Sequence, residues 1–276
     1  MKKSEYSYNR HQFNTLTSLL SYLNTNDEDQ TYFLLAKYLL EHMDTIEKLS
    51  IYKVAKDCFV SRSSIHRFVH LLGFDSFSVF KKNAREAREH FHRFIDYVDY
   101  DDFANGLSNA LKAMTEDINK SISTLEMRNV CAKIHHAENI ILFMSEASSS
   151  AVKQFQQEML CVGKVIRVIT DYAQDTKLLE SLGENDLMIT GSASGNYAHV
   201  IAPDLESIKA RKVLVTYNHS RKLAKSYESV CYLSRSEQSN DVIISQRNVY
   251  TRYGMTYFFD LLFHHYVSMY RDEIKI

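Results

Sequence analysis

Five short β-rich runs punctuate the second half of the chain: NIILFM (139–144), KVIRVIT (164–170), DLMITGS (186–192), KVLVTY (212–217) and SVCYL (229–233). Between them lie 150–162, 173–182, 198–210 and 220–227, all with helical spacing. Strand–helix–strand alternation of this period predicts a parallel sheet with right-handed crossovers and helices on both faces. Seven glycines and the single Pro203 in 276 residues argue against a turn-rich all-β alternative. The tail, 247–271, reads as one more helix rich in Tyr and Phe, expected in the core or at a dimer interface.

The first half follows a different period. Phe33, Leu34, Ala36, Leu39, Leu40 and Met43 form a helical stripe, with Asp29 as its expected N-cap. Ser50 is placed to cap a short helix, IYKVAKDC. Phe59-Val60-Ser61 then makes a tight turn, and Ser61 caps RSSIHRFVHLL, which ends at Gly73 as C′ residue. Ser76 begins a further helix, FSVFKKNAREAREHF. Three parts follow: a helical domain over 1–93, a connection over 94–110 and an α/β domain over 111–276, which opens with one long helix over 111–136.

Residues 50–73 fit a helix-turn-helix. Ala55 is small where the two helices must approach, and Val54, Cys58, Val60, Ile65 and Phe68 fall at shared core positions. That leaves Ser61, Arg62, Ser63, Ser64, His66, Arg67 and His70 as candidates to meet duplex DNA from the second helix. Arg can grip guanine bidentately, while Ser and His bond base edges or phosphates. Lys53, Lys81, Lys82 and Arg85 flank it and suit phosphate contacts. From Ile46 to Arg93 there are ten Lys/Arg against five Asp/Glu, whereas from Phe94 onward there are 19 against 23. A cationic front on a chain of net charge −1 fits a polyanion partner. One departure is Phe59, at a turn position commonly held by glycine.

Ligands of open α/β sheets sit at the carboxyl ends of the strands. Three loops there draw notice: SEASSSA (145–151), GSASGN (191–196) and Thr216-Tyr217-Asn218. Hydroxyls and backbone N–H groups at helix starts suit a phosphate, and Gly191 and Gly195 let the backbone approach. No catalytic set stands out. Glu146, Asp171 and Asp186 lack an evident partner, and His199 and His219 read as loop or surface residues. The adjacent pairs His135-His136 and His264-His265 cannot both face one metal, so neither a metal nor another cofactor is expected. Cys58, Cys131, Cys161 and Cys231 form no CxxC pair and read as reduced, mostly buried thiols. The opening MKKSEYSYNR has no apolar signal-peptide region, and no apolar stretch is long enough to span a bilayer, so a cytoplasmic protein is expected.

The chain resembles the RpiR family of bacterial transcription regulators, which join a helix-turn-helix domain to a SIS (sugar isomerase) domain. The resemblance spans nearly the whole length. Its most specific residues are VAKDCFVSRSSIHRFVHLLGFDSFSVFK (54–81), followed by SASGN (192–196), similar to the SIS motif Ser-x-Ser-Gly-x-Thr. It implies an all-α domain followed by a flavodoxin-like αβα sandwich with a five-stranded parallel sheet. It also implies an operator in double-stranded DNA, a phosphosugar effector, and a homodimer or homotetramer built through the SIS domain, with no enzymatic activity. By position, Ser148, Ser192, Ser194, Gly195, Asn196 and Thr216 would surround the effector. The sequence departs from the family pattern at Met144 and Glu146, where the first SIS loop usually has glycines, and at Tyr197, usually Thr. A constitutive regulator whose SIS domain only oligomerises, or a sugar-phosphate isomerase, are the alternative readings.

Overall fold

A computed structural model of the protein describes residues 15–25, 30–99, 101–144, 149–170, 172–235 and 249–274. The chain divides into two compact units, Met1–Val98 and Asp99–Ile276.

The first unit is helical: α1 (Thr15–Thr25), α2 (Thr31–Glu41), a 3-10 turn Met43–Lys48, α3 (Ile51–Asp57), α4 (Arg62–Leu71) and α5 (Phe77–Val98). The serines start these helices as their side chains dictate. Ser50 Oγ accepts from Lys53 N at 3.1 Å, Ser61 Oγ from Ser64 N at 3.0 Å and Ser76 Oγ from Val79 N at 3.2 Å. Asp29 lies outside the described residues, and Gln30 stands at the N-cap of α2 without a side-chain bond. Val54, Ile65 and Phe68 are fully buried, with Ala55, Cys58 and Val60 packed against the same core. Phe68 anchors it: Tyr32 stacks on its ring at 5.1 Å and Tyr22 meets it edge-on at 5.3 Å.

Both short helices end in Schellman motifs. Gly73, at φ 88°, donates to His70 O at 2.9 Å while Phe74 donates to Val69 O at 3.0 Å. Phe59, at φ 53°, donates to Lys56 O at 3.3 Å while Val60 donates to Ala55 O at 3.0 Å. The left-handed conformation costs a residue with a Cβ about 1 kcal/mol more than glycine.

The second unit opens with α6 (Phe103–Ser121) and α7 (Thr124–His136). The single helix expected over 111–136 is therefore two. Ser123 Oγ accepts from Glu126 N at 3.2 Å while Glu126 accepts from Ser123 N at 2.8 Å. This capping box restarts the helix, and its Ser-x-x-Glu signature stands in the sequence. Then follow β1 (Ile140–Met144), α8 (Ser149–Cys161), β2 (Ile166–Ile169), α9 (Tyr172–Ser181), β3 (Leu187–Gly191), α10 (Asn196–Leu205), β4 (Arg211–Thr216), α11 (Arg221–Ala224) and β5 (Ser229–Tyr232). A π turn, Tyr250–Gly254, leads into α12 (Met255–Tyr270).

The five strands are all parallel, in the order β2-β1-β3-β4-β5. This is the doubly wound order whose switch point lies between β1 and β3. Burial on both faces explains the near-continuous apolar reading of β1 and β3. Ile141, Phe143, Met188 and Leu214 pack with Leu179, Ala198, Ile201, Leu205 and Leu223 of the helices on one face. On the other, α12 lies against α7 and α8, with Phe155 and Phe259 rings 4.9 Å apart. The tail aromatics Tyr250, Phe258, Phe259 and Tyr266 are thus core residues. Among the described residues no helix is long and apolar enough to cross a membrane.

Candidate functional site

Helix α4 turns its apolar stripe, Ile65, Phe68 and Val69, into the core. The period of the helix then leaves Arg62, Ser63, His66, Arg67 and His70 exposed on the opposite side, with Ser61 exposed at the cap. Ser64 is half-buried, and its hydroxyl lies 2.9 Å from that of Ser61, so it serves the cap. Arg62 is held by a residue the sequence reading passed over. Its Nη1 donates to Tyr52 Oη at 3.0 Å, and its guanidinium lies 4.8 Å from the centre of the Tyr52 ring. Four of its five N–H donors stay available for a base or phosphate. The pairing spans the turn, from the first turn of α3 to the first turn of α4, so no local sequence pattern signals it.

The flanking cations differ in their engagements. Lys82 is exposed. Lys53 is mostly exposed and bridges to Asp57 at 2.8 Å, one turn on. Hydrogen bonds from Lys53 and from the Tyr38 hydroxyl, at 2.6 Å, hold the Asp57 carboxyl below its ordinary pKa. Lys81 reaches back and donates to Glu47 O at 3.0 Å and Leu49 O at 2.8 Å, tying α5 to the segment that leads into α3. The Arg85 side chain lies outside the described residues.

At the carboxyl end of β3, the loop Ser192–Gly195 enters α10 through Gly195 at φ 80°. Ser192 Oγ accepts from Ala198 N at 3.2 Å and Ser194 Oγ from Asn196 N at 3.4 Å. Each hydroxyl so used keeps its own O–H to donate. Asn196 is exposed at the start of α10. Thr216 is fully buried; its hydroxyl donates to Ala193 O at 3.0 Å and accepts from Asn218 N at 3.0 Å. Asn218, named in its loop but not singled out in the sequence, is the fastener. Its Nδ2 donates to Ser194 O at 2.8 Å and its Oδ1 accepts from Ser220 N at 2.8 Å. These bonds present the Ser192–Asn196 loop as a preformed backbone cradle. Ser148 and Glu146 lie outside the described residues.

Two departures from the family pattern have packing reasons. Met144 pairs in register with Gly191 and is fully buried. A Cβ at Gly191 would overlap its thioether, so the bulk at one strand end is matched by its absence at the other. Tyr197 turns inward, its ring 5.5 Å from that of Phe143 beneath the sheet.

The remaining polar groups of interest have structural partners. Asp186 lies at the amino end of β3, opposite the loops. Its buried carboxylate accepts from Asn139 N at 3.0 Å, Asn139 Nδ2 at 2.8 Å and Gly183 N at 2.7 Å. His219 stacks on Tyr232 at 4.2 Å, with Nε2 2.8 Å from Ser234 O. His199 is exposed. Among the described residues no group of three His, Cys, Asp or Glu is placed to hold a metal ion. Cys131 and Cys231 are buried, Cys58 partly so and Cys161 exposed; all are free thiols. Burial pushes the Cys58 thiol up to about 11 and those of Cys131 and Cys231 up to about 12, so these stay protonated at neutral pH.

Residues 13–87 match the helix-turn-helix domain of the rpiR family. The HTH-type transcriptional regulator GlvR of Bacillus subtilis (strain 168) is 28% identical over 196 residues, 70% of each chain. Among solved structures, the Vibrio vulnificus NanR protein complexed with ManNAc-6P aligns over 94% of both chains, with a TM-score of 0.50 and 17% identity. That likeness is one of fold, and it runs through both units.

Proposed function

We propose that the chain, whose residues 13–87 match the helix-turn-helix domain of the rpiR family, reads an operator in double-stranded DNA and adjusts that binding to a phosphosugar. The observation that carries the reading is α4: a serine-capped helix on a fully packed core, presenting Arg62, Ser63, His66, Arg67 and His70 to solvent. A rigid scaffold with an outward cationic helix meets the demands of major-groove docking. Lys53 and Lys82 supply phosphate contacts beside it, and Lys81 positions α5 and α3 for that approach.

The effector site of this proposal is the β3–α10 cradle, with Ser192, Ser194, Gly195 and Asn196 toward the ligand and Ser148 joining from the first loop. Thr216 acts there through Ala193 and Asn218. A phosphate at the start of α10 would gain from backbone N–H groups and the helix dipole. The ligand class draws support from the NanR protein of shared fold, complexed with ManNAc-6P. A homodimer or homotetramer through the second unit would pair two α4 helices on half-sites one or more helical turns apart, and unequal effector affinity for two subunit arrangements would supply the regulation. No catalysis is part of the proposal: His219 is stacked and bonded to a carbonyl rather than poised over the cradle. One observation favours a constitutive regulator as the second reading, namely the Met144 thioether filling the space above Gly191 at the switch point.

Fluorescence anisotropy with duplexes enriched from a randomised pool tests the first part. Binding is expected to weaken steeply with salt, and Arg62→Ala or Arg67→Ala is expected to lose about 1–3 kcal/mol on the enriched duplex. Unchanged affinity in both variants overturns the assignment of α4. Thermal unfolding against a panel of sugar phosphates tests the second part, since a ligand of the folded state raises the midpoint. A flat panel leaves the constitutive reading.

A further inference from the structure

Three C-terminal helix caps in the described residues use a left-handed residue in the same hydrogen-bonding pattern. Gly73 closes α4 at φ 88° and Gly163 closes α8 at φ 76°, each with the paired backbone bonds of the motif. The third, closing α3, uses Phe59 at φ 53°. Its ring is not repaid by burial: Phe59 is 96% exposed, the most exposed large apolar residue described. The chain therefore carries backbone strain and an uncovered aromatic at one place. That place is two residues before Ser61, the cap of the helix proposed to enter the groove.

We infer that Phe59 is a DNA contact, its ring packing on a deoxyribose face or thymine methyl at the edge of the half-site that α4 reads. This rests on the proposed DNA-binding function and extends it from polar to apolar readout. Chain connectivity keeps the Phe59 Cα within about 7.6 Å of that of Ser61, inside the footprint of a helix N-terminus seated in the groove. The surroundings favour a nucleic acid over a protein partner. Lys53, Lys56, Ser61 and Arg62 are all exposed around the turn, the nearby carboxylate of Asp57 is paired with Lys53 at 2.8 Å, and the other large apolar side chain at hand, Tyr52, is engaged with Arg62. A lone aromatic among cations lacks the contiguous apolar patch of a protein interface, whereas sugars and thymine methyls sit among phosphates.

Phe59→Gly separates the two roles of the residue because its effects run in opposite directions. Glycine relieves the left-handed strain, so the full-length variant is expected to melt a few degrees above the wild type. On the duplex enriched by the wild type, its dissociation constant is expected to rise by about tenfold, the scale of one lost base-edge contact. The salt slope is expected to stay the same, since no phosphate contact is removed. Phe59→Asn, which also tolerates this conformation, is expected to match Phe59→Gly in binding. Wild type that binds with salt sensitivity while Phe59→Gly binds equally well overturns this inference alone. Wild type that shows no salt-sensitive duplex binding overturns the functional reading, and the inference with it. A glycine variant that melts below the wild type overturns the strain argument.

Discussion

Gly195 and Phe59 share a left-handed backbone and differ in everything around it. At Gly195 the conformation is enforced by contact: a Cβ there would come within 2.7 Å of the Asn218 amide. Gly195→Ala is expected to destabilise the second unit by about 1–3 kcal/mol, combining strain with displacement of Asn218. Urea unfolding measures this, and an unchanged midpoint would show that the loop relaxes freely. Gly195 was legible in the sequence as a residue for close approach. Asn218 as its partner was not, because the two are joined by a crossover rather than by spacing. Lys81 shows the same limit: its charge marked it as a phosphate contact, and its position assigns two backbone carbonyls to it.

Helix starts in this chain follow a simple local rule. A serine three residues ahead of an acceptable N–H makes a cap, as at Ser50, Ser61, Ser76 and Ser123. Ser61→Ala is expected to remove about 1 kcal/mol from the first unit, with DNA affinity falling further than stability, since the cap also orients the first turn of α4. Thermal unfolding and anisotropy on the same variant check both parts. Equal loss in Ser50→Ala and Ser61→Ala binding would deny α4 its special place. The strands were legible for a similar reason: buried parallel strands read as apolar runs whatever lies beyond them. The break at Ile122-Ser123 was written in the capping-box signature but masked by helical periodicity on either side.

Across the second unit, titration is set by packing that brings distant segments together. His135 stacks on Tyr270 at 3.8 Å and lies 3.4 Å from Glu273, while burial and the Lys164 charge hold its pKa below 6.5. Burial and His264 lower His265 in the same sense. With folded values depressed, the unfolded chain takes up protons first as pH falls. Stability is therefore expected to be full above about pH 6.5 and to decline through the window beneath it. Unfolding midpoints between about pH 5 and 7.5 measure the slope, and His135→Gln is expected to flatten it. A slope unchanged in that variant would assign the dependence to other groups.

The strand–helix alternation of the second half, the serine caps and the outward face of α4 were set by sequence alone, because each depends on residues within a few turns of one another. Which side chains meet was decided only in three dimensions. Tyr52 on Arg62, Lys81 on two carbonyls, Asn218 on Ser194 and Met144 over Gly191 all join positions separated by ten to tens of residues. Periodicity fixes the direction a side chain leaves its own helix or strand. The neighbour it finds depends on how elements stack to bury apolar area, and that is a property of the whole core.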